Sequence, residues 1–422
     1  MQQPEGGSAP TDEEQAKAER APRTFSALGF AQYRRLWGGT FFTFAAGQMT
    51  QVARPWLAYE LTGSAFWVGV VALAQGIPMF FMSPLGGVAA DRLSKRAVLL
   101  ASQTALLAMA LAFVVLLYLD IIEVWHLVLF SLVHGTAMPF NMPVRQSYVP
   151  LLLPKRLIPN GVALQAAGRN VNQVAAPGVV GILLGIDPLI AFATVAVFHV
   201  VSMGMSLTFP PGRAEQQRGR GMRGELLLGF RYVMSTPLLR LLFGMLLIML
   251  VLGMPYVHLL PVFQEVLEIG PELLGFMFAA IGFGGFCGSL TVASFSRLAS
   301  GLPQMIIGIS FGVALAGFAL SPYYPLSIVL LFSTGFTHQA YTTINQTLII
   351  TRTDPALYGR VMSINLMLRS FITMAILPFG LLVDAFGAPG TLAVTGVVLA
   401  GSLLLIGAVR GTTVPEGVRS AS

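Results

Sequence analysis

Long apolar stretches recur along this chain with short polar breaks between them, the pattern expected of membrane-crossing helices. Crossing about 30 Å of hydrocarbon takes roughly 20 residues, and more when a helix tilts. Twelve stretches meet that length, at about 36–60, 66–90, 97–119, 124–149, 158–184, 187–209, 238–264, 271–296, 302–320, 325–349, 357–383 and 388–409. They are numbered spans 1 to 12, and they predict an all-α polytopic membrane protein.

Charge gives the sidedness. Every Lys and Arg outside an apolar stretch lies at an end or in an even-to-odd connection. Lys17, Arg20, Arg23, Arg34 and Arg35 precede span 1, and Arg92, Lys95, Arg96, Lys155 and Arg156 follow spans 2 and 4. Arg213, Arg218, Arg220, Arg223, Arg231 and Arg240 join the halves, and Arg297, Arg352, Arg360, Arg410 and Arg419 complete the set. The opposite loops carry only acids: Glu60, Asp120, Glu123, Asp187, Glu265, Glu268, Glu272 and Asp384. Basic loops stay cytoplasmic, so both termini are expected there, in a multi-pass protein of the cell's inner (plasma) membrane.

Composition agrees: 55% of residues are hydrophobic and 10% charged, against about a quarter charged in an ordinary soluble globule. The net charge of +7 comes from residues scattered over one set of loops, which points to anionic headgroups rather than nucleic acid. A single cysteine, Cys287, excludes a disulfide framework or a thiolate metal site. Residues 1–24 are polar and lack an apolar leader core, and they are expected to form a disordered cytoplasmic tail.

A constant shift of 200 residues pairs Pro55 with Pro255, Gly135 with Gly335, Gln146 with Gln346 and Arg169 with Arg369, while Pro177 and Pro378 miss by one. The chain therefore divides into a six-helix bundle over 25–209, a linker over 210–237, a second bundle over 238–409 and a tail over 410–422. Six is even, so the halves share one orientation, and a parallel repeat of this kind puts the working cavity between them. Within the linker, Glu225 to Met234 forms an amphipathic segment expected to lie along the interface and space the two bundles.

Between spans 2 and 3 stands Gly87-Val-Ala-Ala-Asp91-Arg92-Leu-Ser-Lys95-Arg96. It resembles the GxxxDRxGRR signature of the major facilitator superfamily, with Ser94 in place of the usual glycine. The resemblance implies a gate in which Asp91 docks at the start of span 11, here Tyr358-Gly359-Arg360. Span 5 keeps part of an antiporter motif, GxxxGPxxGG, as Ala176-Pro177-Gly-Val-Val-Gly181, with three glycines replaced. Pro143 to Pro150, Glu225 to Val233 and Tyr358 to Ser363 are similar to the branch of enterobactin and multidrug exporters. In this fold spans 1, 4, 7 and 10 line the cavity, and 2, 5, 8 and 11 form the interface between halves.

Four arginines fall inside spans, where a charge costs at least about 2.5–3.5 kcal/mol and must face protein or water. Arg54, Arg169 and Arg369 invite a functional role, joined by Asn170, Asn172, Gln173 and Asn365. They either line a cationic cavity suited to anionic or acceptor-rich solutes or clamp the halves together. Arg145, nearer a span end, is expected to snorkel to the interface. No span has a mid-membrane acid, so a coupling proton would ride on histidine. His134 and His338 occupy nearly matching repeat positions and are the candidates; His258, high in its span, is expected to be structural, and His126 and His199 have no special placement. Among Phe41, Phe44, Trp56, Phe140, Tyr256, Phe336 and Tyr341, some should face solute, and Pro55 and Pro255 should bend spans 1 and 7.

The chain is thus expected to be a monomeric secondary transporter of small molecules. Export of drug- or siderophore-like compounds by proton antiport is what the resemblance implies. Import of a small anionic metabolite is the alternative, and a non-transporting receptor or scaffold is a third reading. The sequence holds no P-loop, HExxH or GxSxG motif and no clustered acids, so ATP-driven pumping, enzymatic chemistry, cofactors and metals are not expected.

Overall fold

The computed structural model describes residues 25–210, 222–295, 298, 300–354 and 357–410, with side chains for all of these except 84, 87–92, 222–227, 359, 363, 366, 369–371 and 409–410. The expected tail over 1–24, and that over 410–422 apart from Arg410, lie outside the described residues, as do Arg297, Pro355 and most of the basic run between the halves.

Spans 1 to 6 are the helices Ala31–Thr62, Ala65–Arg92, Lys95–Tyr118, Val124–Leu152, Ile158–Ile186 and Pro188–Ser206. After the linker helix Met222–Ser235, span 7 runs over Pro237–Leu267. Spans 8 to 12 are Pro271–Ser294, Gly301–Ala319, Tyr324–Thr351, Tyr358–Phe386 and Ala388–Arg410. Among the described residues, eight are long and apolar enough to cross a membrane on composition alone. The other four pack on neighbouring spans: span 1 lies against 5 and 6, span 5 against 8, span 10 against 8 and 9, and span 11 against 2.

The two repeat prolines behave differently. Span 1 continues as one helix through Pro55, whereas span 7 ends its first helix at Gly253 and restarts as Tyr256–Leu259, a 3-10 turn over Leu260–Val262 and Phe263–Leu267. Proline removes one backbone donor and crowds the preceding turn, and span 7 has two more such insults, Gly253 and Pro261, within ten residues.

Pairwise packing repeats between halves. Span 2 lies on 4 as 8 lies on 10, and 3 on 6 as 9 on 12. The halves meet where 2 packs on 11 and 5 on 8. The repeat pair Gly135 and Gly335 does the same work in each half: a Cβ on Gly135 would sit 2.1 Å from the Gln75 carbonyl of span 2, and one on Gly335 2.1 Å from the Ile281 carbonyl of span 8. Small residues let helix backbones approach this closely where lipid offers no hydrophobic drive between helices.

The described start of span 1, the end of span 12 and the linker helix Met222–Ser235 lie on one face, called here the terminus face; the odd-to-even loops lie on the far face. Toward the far face a single buried apolar cluster runs through both halves, joining Trp56, Val68 and Val180 to Tyr256, Leu274 and Phe379. Toward the terminus face the clusters separate. One, around Tyr33, Leu99 and Tyr148, belongs to the first half, and another, around Val233, Phe243 and Ile344, belongs to the second. The linker helix joins the second of these, with Gly229 against Arg360 and the Tyr232 hydroxyl 3.3 Å from the Asp354 amide that donates to it.

Candidate functional site

Where spans 1, 2, 4, 7 and 11 converge they enclose a cavity of about 270 Å³. Span 1 contributes Phe44, Gln48, Gln51, Arg54 and Pro55, a stripe at three- and four-residue spacing that a helix turns to one side. Gln75 and Met79 come from span 2, His134 and Met138 from span 4, Met254 and His258 from span 7, and Thr373 from span 11. The ionisable residues among the described lining are all basic types, with amide and hydroxyl groups between them and no carboxylate.

Arg54 is 4% exposed. Its Nη2 donates to Gln75 Oε1, while Nε and Nη1 have no hydrogen-bond partner among the described residues. His134 Nδ1 and His258 Nδ1 are likewise buried without a partner among the described residues. The structure thus joins His134 with His258, which the sequence analysis set aside. His338, its expected companion, is not among the described lining and lies beside Phe311 of span 9, ring centroids 6.1 Å apart.

Arg169 is half-buried and faces a narrow crevice with Trp37, Thr40, Phe41 and Gln165, on the span 1 side of span 5. Asn172 Nδ2 donates to the Phe41 carbonyl at 3.1 Å, a tie within the first half and not a clamp between halves. The side chain of Arg369, and those of the gate residues Gly87, Asp91, Arg92 and Gly359, lie outside the described residues. Lys95 opens span 3, Arg96 Nη2 donates to the Leu207 carbonyl at 2.7 Å, and Arg360 packs on the linker helix.

Arg145 corrects the snorkelling expectation. Its side chain is fully buried and donates to Asn141 Oδ1 at 2.8 Å, Thr43 Oγ1 at 3.0 Å, Ser202 Oγ at 2.8 Å and Gln103 Oε1 at 3.3 Å. Gln103 in turn lies 3.2 Å from His199 Nδ1, which gives that histidine a place the sequence did not suggest. Spans 1, 3, 4 and 6 each supply an acceptor, so the guanidinium pins them around one buried charge. The shift of 200 brings Arg145 to Asn345, whose Nδ2 donates to the Leu242 carbonyl of span 7 at 3.1 Å.

Two contacts shut the cavity from the far face. Asp384, at the end of span 11, accepts from Ser64 Oγ at 2.5 Å and from the backbone N–H groups of Ala65 and Phe66 at 2.8 and 3.0 Å. The second half thereby caps the first turn of span 2. The Tyr59 hydroxyl donates to Glu265 Oε2 at 2.8 Å, tying span 1 to span 7. Of the span-5 motif, Ala176 and Pro177 are buried, and Gly181 touches the opposite half: a Cβ there would meet the Gly275 Cα at 2.5 Å and the Pro271 carbonyl at 2.8 Å. Among the aromatic candidates Phe44 reaches the cavity, whereas Trp56, Tyr256 and Tyr341 are core residues.

Comparison with known proteins agrees with this architecture. The chain is 27% identical to the multidrug efflux pump Tap of Mycolicibacterium fortuitum, over 76% of this chain and 81% of that one. It is 25% identical to the enterobactin exporter EntS of Escherichia coli O9:H4 (strain HS), over 78% of this chain and 79% of that one. Among solved structures it shares the fold of the nucleoside transporter NupG, with a TM-score of 0.73 at 16% identity, covering 89% of this chain and 98% of that one. Residues 23–417 match the family described as transmembrane secretion effector. The chain therefore belongs to that family of major facilitator transporters, multi-pass membrane proteins that move small molecules and are not enzymes.

Proposed function

We propose that the protein is a secondary active exporter of small drug- or siderophore-like molecules, working as a monomer in the plasma membrane by alternating access with proton antiport. The observation that carries this is the central cavity, bounded by both halves, closed on the far face and lined by Arg54, His134 and His258. The basic loops on the terminus face support a cytoplasmic placement of both ends, which makes the described arrangement the one closed to the outside. The similarity to proteins named as a multidrug pump and an enterobactin exporter supports the direction of transport.

The halves would rock about the span 2/11 and 5/8 contacts, breaking the far-face ties as they open outward. In the absence of any acid in the middle of a span, His134 is the proton carrier, with His258 across the same cavity. The test uses inside-out vesicles with an imposed pH gradient and a panel of toxic compounds and siderophores. Accumulation should follow the gradient and collapse with a protonophore, and His134→Asn should lose that response while retaining solute binding. Uptake indifferent to the gradient in the wild type would rule out proton coupling.

A further inference from the structure

Among the described residues no carboxylate lines the cavity with Arg54. Every acid that falls on a span lies within about a turn of its end: Glu60, Asp91, Glu265, Glu272 and Asp384 are all terminal, and no other Asp or Glu lies on a span. A guanidinium at 4% exposure lines the cavity with one neutral amide as its described partner, and its Nε and Nη1 are buried without a hydrogen-bond partner among the described residues. Each buried donor left unpaired costs about 1–3 kcal/mol, and more for a charged group. Arg145 shows what this fold does with a purely structural buried arginine: five side-chain oxygens from four spans take its Nε and Nη2, and Nη1 alone is without a partner among the described residues. Arg54 is not treated that way.

Resting on the transport reading above, we propose that Arg54 is the anion-recognition residue of the cavity, and that the solutes carried present a compact oxyanion such as a carboxylate to its free N–H groups. Charge-assisted hydrogen bonds of this kind are about twice as strong as neutral ones, and the low-dielectric walls strengthen them further. Gln75 holds the guanidinium from span 2, and Gln48 and Gln51 offer amides on the same face of span 1 for the remaining polar groups of the solute. At about 270 Å³ the cavity as it stands suits a single-ring acid. Larger solutes would have to present their acidic end first.

The experiment measures binding to the purified full chain in nanodiscs of phosphatidylcholine alone, so that no anionic lipid competes. Three matched pairs serve as probes: benzoate and benzamide, salicylate and salicylamide, nicotinate and nicotinamide. Shape is nearly constant within each pair and charge is not. At least one carboxylate should bind about tenfold or more tightly than its amide; Arg54→Gln should abolish that preference and Arg54→Lys restore part of it. Amides that bind as well as their acids, or a preference that survives Arg54→Gln in folded protein, would overturn the assignment. Because the comparison within each pair is made on the wild type, the test stands even where a variant fails to fold. Gradient-driven movement of a cationic dye with no carboxylate preference would remove the anion assignment and leave transport standing. Selective carboxylate binding with no transport of any compound would do the reverse.

Discussion

Asp384 offers a direct handle on the balance between the two access states, because its contacts join the halves only on the far face. It accepts one hydroxyl and two backbone N–H groups from Ser64, Ala65 and Phe66, at 2.5, 2.8 and 3.0 Å. Those two amides belong to the first turn of span 2, which has no partners of its own at that end. The carboxylate is exposed, so its contribution belongs on the scale of helix caps, about 0.5–2 kcal/mol, with a dipole contribution of about 0.3–1 kcal/mol. Taking about 1–2 kcal/mol, Asp384→Ala should move the equilibrium toward far-face opening by about 5- to 30-fold. Asp384→Asn keeps an acceptor and loses the charge, so it should fall between.

The assay starts from Cys287→Ser, which removes the sole cysteine, and adds spin labels at Glu60→Cys and Glu268→Cys, far-face positions in opposite halves. Double electron–electron resonance then reports the populations of short and long separations. The alanine variant should gain the long-distance population by the stated factor, while a control pair at Glu60 and Asp187, both in the first half, should not change. An unchanged distribution, or a shift toward the short distance, would refute the idea that this cap is a state-specific latch.

Two further outcomes follow from the packing. Gly181→Ala places a methyl 2.5 Å from the Gly275 Cα, a backbone atom that cannot step aside, and should destabilise the far-face-closed state by about 1–3 kcal/mol. Gly178→Ala, whose added methyl meets only the Ala279 Cβ at 3.9 Å, should leave the same distance distribution intact. Arg145→Met strands acceptors on four spans and should lower stability by about 2–4 kcal/mol, read as an earlier unfolding transition of purified protein in detergent; a variant as stable as the wild type would deny Arg145 its structural role.

The membrane fold was legible in one dimension because lipid imposes a length and a composition on every crossing segment, whatever lies beside it. One pair of repeat positions was legible too, since Gly135 and Gly335 mark equivalent helix contacts and keep their spacing in the chain. Part of the cavity could also have been read: Gln48, Gln51 and Arg54 form a polar stripe at helical spacing on an otherwise apolar span. His258 carried no such mark: it stands among apolar neighbours, and only the packing of span 7 against spans 1 and 2 brings it to the same cavity as Arg54 and His134. Arg145 and Arg54 pose the sharpest contrast. Each is one arginine in an apolar stretch, and little in their neighbours along the chain tells a guanidinium ringed by oxygens from one held by a single amide. Apart from Asn141, one turn before Arg145, that difference is made by side chains 21 to 102 residues away, Gln75 for one and Thr43 among the partners of the other. Burial of a charge is set by what surrounds it in space, so sequence alone determined that these charges enter the membrane and only the tertiary structure decided how many partners each finds there.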